Sequence, residues 1–242
     1  MKKLFSYQIM KQSFKSVWLW WVISIVIISV NMFAFSSIME IEDIQLLSMF
    51  AENGLAANGI TFITVCVILF TNVFITSEVD RGTLAITLNT PTTRLKILLS
   101  KALVYIALLS SICLLVGVSG TLSALMQSIE FDHLKWWIII VLWLVYSFAI
   151  GGIAFCIGCW FNKSRYMLGL SSTILGMFFV LNMFSGIESI EVCKYFTLQT
   201  LFDISAVING ESVIWHMVTL LMVGFPLYII GIAKFLKKDL PL

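Results

Sequence analysis

Six long apolar stretches alternate with shorter polar segments along the chain. Each stretch contains a run of about 20 or more residues without Asp, Glu, Lys or Arg, the helical length needed to cross a hydrocarbon core about 30 Å thick. Strands of a membrane barrel would instead alternate polar and apolar residues over about ten positions. The pattern therefore predicts an all-α integral membrane protein with six transmembrane helices, at about 17–38, 57–77, 98–126, 136–161, 166–187 and 213–235.

The segments outside these spans predict further helices. Residues 1–16 carry apolar side chains at helical spacing with lysines on other faces, which is typical of an amphipathic helix on the inner membrane surface. A solvated basic tail that only sets topology is the alternative. Residues 188–212 are too long for a turn and apolar enough for short interfacial helices, the last ending at Gly210. No boundary divides the chain, so we expect residues 1–242 to form one domain.

The charges between the spans are segregated by sign. When the segments outside the spans are assigned alternately to the two sides of the membrane, 13 of the 15 basic residues fall on one side and ten of the 13 acidic residues on the other. Basic residues of short loops stay in the cytoplasm, so both termini are predicted to be cytoplasmic and residues 188–212 extracellular. Composition agrees with a membrane protein, since 12% of the residues are charged, against about a quarter in soluble domains.

The cytoplasmic segment between the second and third spans contains a helix-start signal. The Thr90 hydroxyl suits an N-cap, and Pro91 suits the first helical position. We therefore expect the third helix to begin at Pro91 and to hold Arg94 and Lys101 at the headgroups. Upstream, a short apolar element that includes Leu84 is expected to dock a partner or to tuck under the helices.

The candidate functional residues within the spans are polar but uncharged. Side-chain amides and hydroxyls in hydrocarbon seek partners, so they line a hydrated path or bond neighbouring helices, and the sequence leaves both open. The candidates are Asn31, Thr64, Thr71, Asn72 and Asn182. The fourth span also has small residues that favour close helix approach, namely Gly151, Gly152, Ala154 and Gly158.

The sequence offers no catalytic constellation, so we do not expect an enzyme. Ion-driven transporters place ionisable groups or broken helices near the bilayer midplane, and no acid, lysine or arginine lies in the apolar runs. No Gly-Lys dipeptide occurs, which excludes the phosphate-binding loop GxxxxGK[ST]. We expect no metal, no cofactor in this chain and no nucleic-acid partner. Transport driven by ATP would need another polypeptide to bind the ATP.

The segment after the second span resembles a motif of the permease subunits of ABC-2 type transporters. That family has a pattern like E-x-x-x-G-T-L, then S/T-P-x-x-R, then G/S-K as the third span begins. The matching positions are Glu78, Gly82, Thr83, Leu84, Thr90, Pro91, Arg94, Ser100 and Lys101. The likeness in topology extends over essentially the whole chain. Many members open the last outer helices with a proline, whereas residues 193–199 have none.

The resemblance implies a half-transporter in a bacterial plasma membrane. Two six-span subunits, identical or homologous, would join two cytoplasmic ABC ATPase subunits that bind ATP and Mg²⁺. Residues 78–97 would form the cytoplasmic coupling loop. The coupling residues would be Glu78, Arg81, Gly82, Thr83, Leu84, Pro91, Arg94 and Lys101.

The resemblance also implies a class of cargo. The leading prediction is export of an amphipathic or hydrophobic molecule, such as a phenol-soluble modulin, an antimicrobial peptide, a toxin or a drug. A lipid or glycan exporter is the alternative within the family. Outside it, the same loop would serve a scaffold or sensor subunit that docks a cytoplasmic partner without transporting anything.

Overall fold

The structure is a computed structural model that describes residues 7–38, 47–48, 50–84, 93–126, 132–184 and 195–238. These residues form helices and no strands. Six helices have the length and apolar composition to cross a membrane, as the sequence predicts. They are α1 (Tyr7–Ile38), α2 (Phe50–Asp80), α3 (Arg94–Met126), α4 (His133–Trp160), α5 (Ser164–Phe184) and α7 (Ile214–Leu236), with a short α6 (Ile204–Ile208) before the last.

Helix α4 lies at the centre of the bundle. In its most apolar stretch 72% of the residues are buried, against 17% in α5 and 22% in α1. It packs against α7, α3 and α2, and its Trp136, Trp143 and Tyr146 are fully buried. A helix that is apolar on all sides suits this position. The exposed faces of α1, α5 and α7 are rich in large apolar side chains, which suits contact with lipid.

Glycines bring α4 into close contact with two neighbours. A Cβ atom added at Gly152 would lie 3.0 Å from the carbonyl oxygen of Gly224 in α7. One added at Gly158 would lie 2.5 Å from a methyl carbon of Thr71 in α2. The close approach predicted from the small residues of the fourth span is confirmed at these two positions, where any larger side chain would separate the helices.

Helix α1 is uninterrupted from Tyr7 to Ile38. The structure therefore does not separate an interfacial helix at residues 1–16 from the first span, and residues 1–6 lie outside the described residues. Neither glycine nor proline occurs within α1, so nothing in its sequence favours a break. The indole N–H of Trp21 donates a hydrogen bond to the Ser111 hydroxyl at 2.8 Å, which ties α1 to α3.

The described part of helix α2 already includes Phe50, ahead of the predicted start at residue 57. Its first part, Phe50–Gly59, and a later part, Asn72–Thr76, have the wide turns of a π-helix. Phe50 and Leu55 are fully buried, and the Phe50 ring lies 5.9 Å from that of Trp136. This packing stabilises helix in a segment with polar neighbours, where hydrophobicity alone predicts a loop.

Helix α3 begins at Arg94 and not at the expected Pro91. The Thr93 hydroxyl accepts a hydrogen bond from the backbone N–H of Lys96 at 3.3 Å and so caps the helix. This satisfies one of the N–H groups that a helix start leaves unpaired, which is the role expected of Thr90. Thr90 and Pro91 lie outside the described residues.

The connection between α5 and α7 contains a 3₁₀ turn, Gln199–Leu201, and α6. The Asp203 carboxylate accepts a hydrogen bond from the backbone N–H of Ala206 at 3.0 Å and caps α6. Gly210 follows with a φ of +80°, which glycine adopts without steric cost. The sequence predicts short helices here and Gly210 as their end, while residues 185–194 lie outside the described part of the chain.

Candidate functional site

Five helix ends meet at one end of the bundle, which we call the basic end. They are the ends of α2, α4 and α7 and the starts of α3 and α5. Hydrogen bonds and an ion pair join them across long stretches of sequence. All the described residues that the ABC-2 resemblance assigns to coupling lie here.

Glu78 and Lys101 form an ion pair between the last turn of α2 and the first part of α3. The Lys101 side chain is 4% exposed and the Glu78 side chain is 24% exposed. The sequence predicts Lys101 at the headgroups, but its ammonium instead points into the protein, where the carboxylate neutralises it. A buried charge needs such a partner, because an unpaired one is expensive to remove from water.

A wide turn of α2 supplies a second partner for Lys101. The ammonium nitrogen Nζ donates a hydrogen bond to the carbonyl oxygen of Phe74 at 2.6 Å. Phe74 lies in the π-type segment Asn72–Thr76. Such wide turns are rare and are found frequently at functional sites. The two partners fix the end of α2 against the start of α3.

The turn after α2 exposes Arg81, Gly82 and Thr83 and buries Leu84. Gly82 has a φ of +70°, and a Cβ atom there would meet nothing within 4 Å. The backbone conformation, not packing, therefore requires glycine at this position. The Thr83 hydroxyl donates a hydrogen bond to the carbonyl oxygen of Glu78 at 3.3 Å, which closes the turn.

Arg94 does not join this ion pair. Its guanidinium donates a hydrogen bond to the carbonyl oxygen of Lys238 at 3.2 Å. The Lys238 ammonium in turn donates to the carbonyl oxygen of Cys159 at 3.1 Å, and burial lowers the pKa of Lys238 to about 8. These contacts tie the residues after α7 to α3 and α4. Pro91, the remaining predicted coupling residue, lies outside the described residues.

Asp80 links α2 to α5. Its carboxylate accepts a hydrogen bond from the backbone N–H of Ser164 at 3.1 Å, at the start of α5, where the helix dipole favours negative charge. Sequence reasoning missed Asp80, Ser164 and Lys238 as parts of this site. No local pattern marks a contact between residues 84 positions apart.

The predicted path residues do not gather into one channel among the described residues. Asn31, Thr64 and Thr71 donate hydrogen bonds to carbonyl oxygens of their own helices at 2.8, 2.7 and 2.8 Å. These donors are therefore satisfied without a hydrated path or a neighbouring helix. The Asn72 side-chain oxygen is buried, and no hydrogen bond reaches it from the described residues.

Asn182 lies beside a cavity of about 940 Å³ at the opposite end of the bundle, which we call the acidic end because Glu52 and Asp203 lie there. The cavity lies between α2, α5, α7 and the connection that follows α5. Glu52, Asp203, His216 and Phe178 are among its lining residues. Its volume falls in the range of ligand pockets, about 300 to 1,000 Å³. The sequence indicates Asn182 but not the cavity, because separate segments build the wall.

No protein-family model and no curated protein matches the chain. At the basic end, one exposed turn is fixed to two helices. The ion pair holds two helices together immediately beside an exposed three-residue turn, so a force on the turn acts on α2 and α3 together.

Proposed function

We propose that this chain is the transmembrane permease subunit of an ATP-driven ABC exporter in a bacterial plasma membrane. The supporting observation is the Glu78–Lys101 ion pair, which joins the first and last positions of the ABC-2-like motif. Between them the chain presents Arg81, Gly82 and Thr83 at the surface. In this proposal a cytoplasmic ATPase docks on that turn, and two ATPase copies serve two permease copies.

The proposed coupling depends on how firmly the turn is held. Val79 before it and Leu84 after it are each 4% exposed, so apolar contacts anchor both sides of Gly82. Removing one partner of a buried ion pair costs about 3 to 5 kcal/mol, so the pair resists separation of α2 from α3. A movement of the docked ATPase then shifts both helices instead of bending the turn alone.

Two sequence features support a separate ATPase subunit at the basic end. The chain has no phosphate-binding loop, which assigns ATP and Mg²⁺ to a separate subunit. Its basic residues concentrate in the segments that lead into this end, and the positive-inside rule makes such a side cytoplasmic. ATP is then available where the turn is exposed.

The proposed cargo is an amphipathic or hydrophobic molecule, such as a peptide, toxin or drug. The cavity at the acidic end combines aromatic side chains with the carboxylates of Glu52 and Asp203. In the proposed orientation it opens on the extracellular side. Aromatic walls suit the apolar part of such a cargo, and the carboxylates suit basic groups on it.

Affinity purification of the tagged chain from its native membranes tests the docking. We expect an ABC ATPase to co-purify with the wild-type chain and to be lost from the double variant Arg81→Glu/Thr83→Trp, because both side chains lie exposed on the turn. The matched control is Arg165→Glu, which changes an exposed arginine on α5 at the same end. It should retain the ATPase.

Two results would contradict this proposal. The first is that no ABC ATPase accompanies the wild-type chain. The second is a complex that survives the double substitution unchanged. A stable complex that moves no cargo with ATP in reconstituted vesicles would identify a docking scaffold and not a transporter.

A further inference from the structure

An open cleft of about 390 Å³ lies between α4, α5 and α7, apart from the coupling site. Its walls are almost entirely apolar. They include Ile153, Cys156 and Trp160 of α4, Leu170 and Ile174 of α5, and Leu227 of α7. An apolar cleft between transmembrane helices is filled at little cost only by something equally apolar.

The cleft runs from the interior of the bundle towards the basic end. Ile153 and Trp160 are seven residues apart, so they lie on one face of α4 with about 10 Å between them along the helix axis. Leu227 and Lys234 have the same relation on α7. The apolar wall therefore leads directly to a lysine.

Aromatic and basic side chains surround the basic end of the cleft. The Lys234 ammonium lies 4.8 Å from the centre of the Trp160 ring, and Trp160 is 54% exposed. Lys163 and Arg165 are exposed at the start of α5. The nearby Asp80 carboxylate is engaged by the N–H of Ser164. Exposed tryptophan beside lysine is typical of the headgroup level of a membrane protein.

We propose that this cleft binds one anionic phospholipid of the inner leaflet. One acyl chain lies in the cleft, and the phosphate lies at Lys234 beside Trp160. Charge complementarity favours an anionic headgroup, because Lys234, Lys163 and Arg165 lie at this end of the cleft and the Asp80 carboxylate near them already accepts a hydrogen bond. Basic sites between helices on the cytoplasmic side are known to bind such headgroups.

Quenching of tryptophan fluorescence by brominated lipids tests the site in the full-length protein. The protein is placed in vesicles that mix unlabelled phosphatidylcholine with dibrominated phosphatidylglycerol or dibrominated phosphatidylcholine. The emission of Trp160 is obtained by subtracting the spectrum of Trp160→Phe. Each basic residue near an anionic surface adds roughly a fivefold preference, so we expect Trp160 to be quenched at a fraction of the anionic lipid that is at least fivefold lower than that of dibrominated phosphatidylcholine.

Three variants test which residues hold the lipid. Lys234→Gln removes the charge at Trp160 and should lower the preference for the anionic lipid about fivefold. Cys156→Phe fills the cleft at a half-buried position and should weaken quenching by both lipids. Lys15→Gln removes an exposed lysine of α1, which is not among the helices that line the cleft, and should leave the preference unchanged.

Equal quenching of Trp160 by the two lipids in the wild-type protein would overturn the proposal. It would show that the lipid at the cleft is ordinary bilayer lipid, bound without preference for its headgroup. Shielding of Trp160 from both brominated lipids would also overturn it, and would indicate that a second copy of the chain covers the cleft. Retention of the full preference in Lys234→Gln would contradict the position of the phosphate.

Discussion

The position of the Lys101 side chain differs from the position that hydrophobicity alone predicts. Its charge lies near the start of a long apolar helix, where a snorkelling side chain would reach the headgroups. Glu78 and the Phe74 carbonyl oxygen instead hold the ammonium inside the protein. The sequence places both charged residues in the ABC-2-like motif but contains no information on their distance.

The two halves of this ion pair should contribute unequally to stability. Glu78→Gln leaves a buried ammonium without its carboxylate, so we expect the free energy of unfolding to fall by about 3 kcal/mol. Lys101→Met leaves a carboxylate that is 24% exposed and hydrated by water, so its cost should be smaller. The double variant should recover part of the loss. Denaturation in detergent micelles, followed by helical circular dichroism, measures all three.

A double variant at the sum of both losses would show that the residues do not act as a pair. Equal losses in the two single variants would contradict the unequal contributions.

Gly82 and Gly169 offer a matched comparison of backbone conformation. Neither would meet an atom within 4 Å if it gained a Cβ, but Gly82 has a φ of +70°. Gly82→Ala should therefore lower stability by about 1 to 2 kcal/mol. Gly169→Ala lies within α5 and should be neutral or stabilising by about 1 kcal/mol. Thermal unfolding measures both, and equal midpoints would exclude a left-handed backbone at Gly82.

The packing of α4 on α7 depends on the absence of side chains. Gly152→Leu would insert a side chain where even a Cβ lies 3.0 Å from the backbone of α7. We expect overpacking to cost about 1 to 3 kcal/mol. The control is Gly176→Leu, an exposed glycine of α5 with open space around it. Unfolding in detergent should separate the two variants, and equal stabilities would mean that α4 and α7 are not in close contact.

Element by element, the sequence predicts the six apolar helices but not all of their limits. The charge-free runs reveal which segments cross a membrane. They do not reveal that α2 includes Phe50, because helix at that position depends on packing against Trp136 in another helix. They also miss the continuity of α1, because lysines near its start resemble a separate amphipathic segment.

The candidate site was predictable only in part. The motif identifies Glu78, Gly82 and Leu84, because all three belong to one local sequence pattern. The contacts of Asp80 with Ser164 and of Lys238 with Cys159 join residues 84 and 79 positions apart. Only the folded arrangement brings such residues together, so no spacing rule finds them.

The orientation of the bundle is open to direct measurement. The proposal places the basic end in the cytoplasm, so a cysteine introduced at exposed Arg165 should react with a membrane-impermeant maleimide only after cells are permeabilised. A cysteine at exposed Glu211, beyond α6, should react in intact cells. Both are built in a background without the native cysteines. The reverse labelling pattern would contradict the assigned orientation.

In the proposed function an ATPase acting at the basic end, and not an ion gradient, drives transport through this protein. Flux of a dye-labelled amphipathic peptide across proteoliposomes tests it most directly. We expect no flux with the purified chain under a proton or sodium gradient, and ATP-dependent flux when the co-purified ATPase is present. Peptide movement driven by either gradient through the chain alone would contradict it.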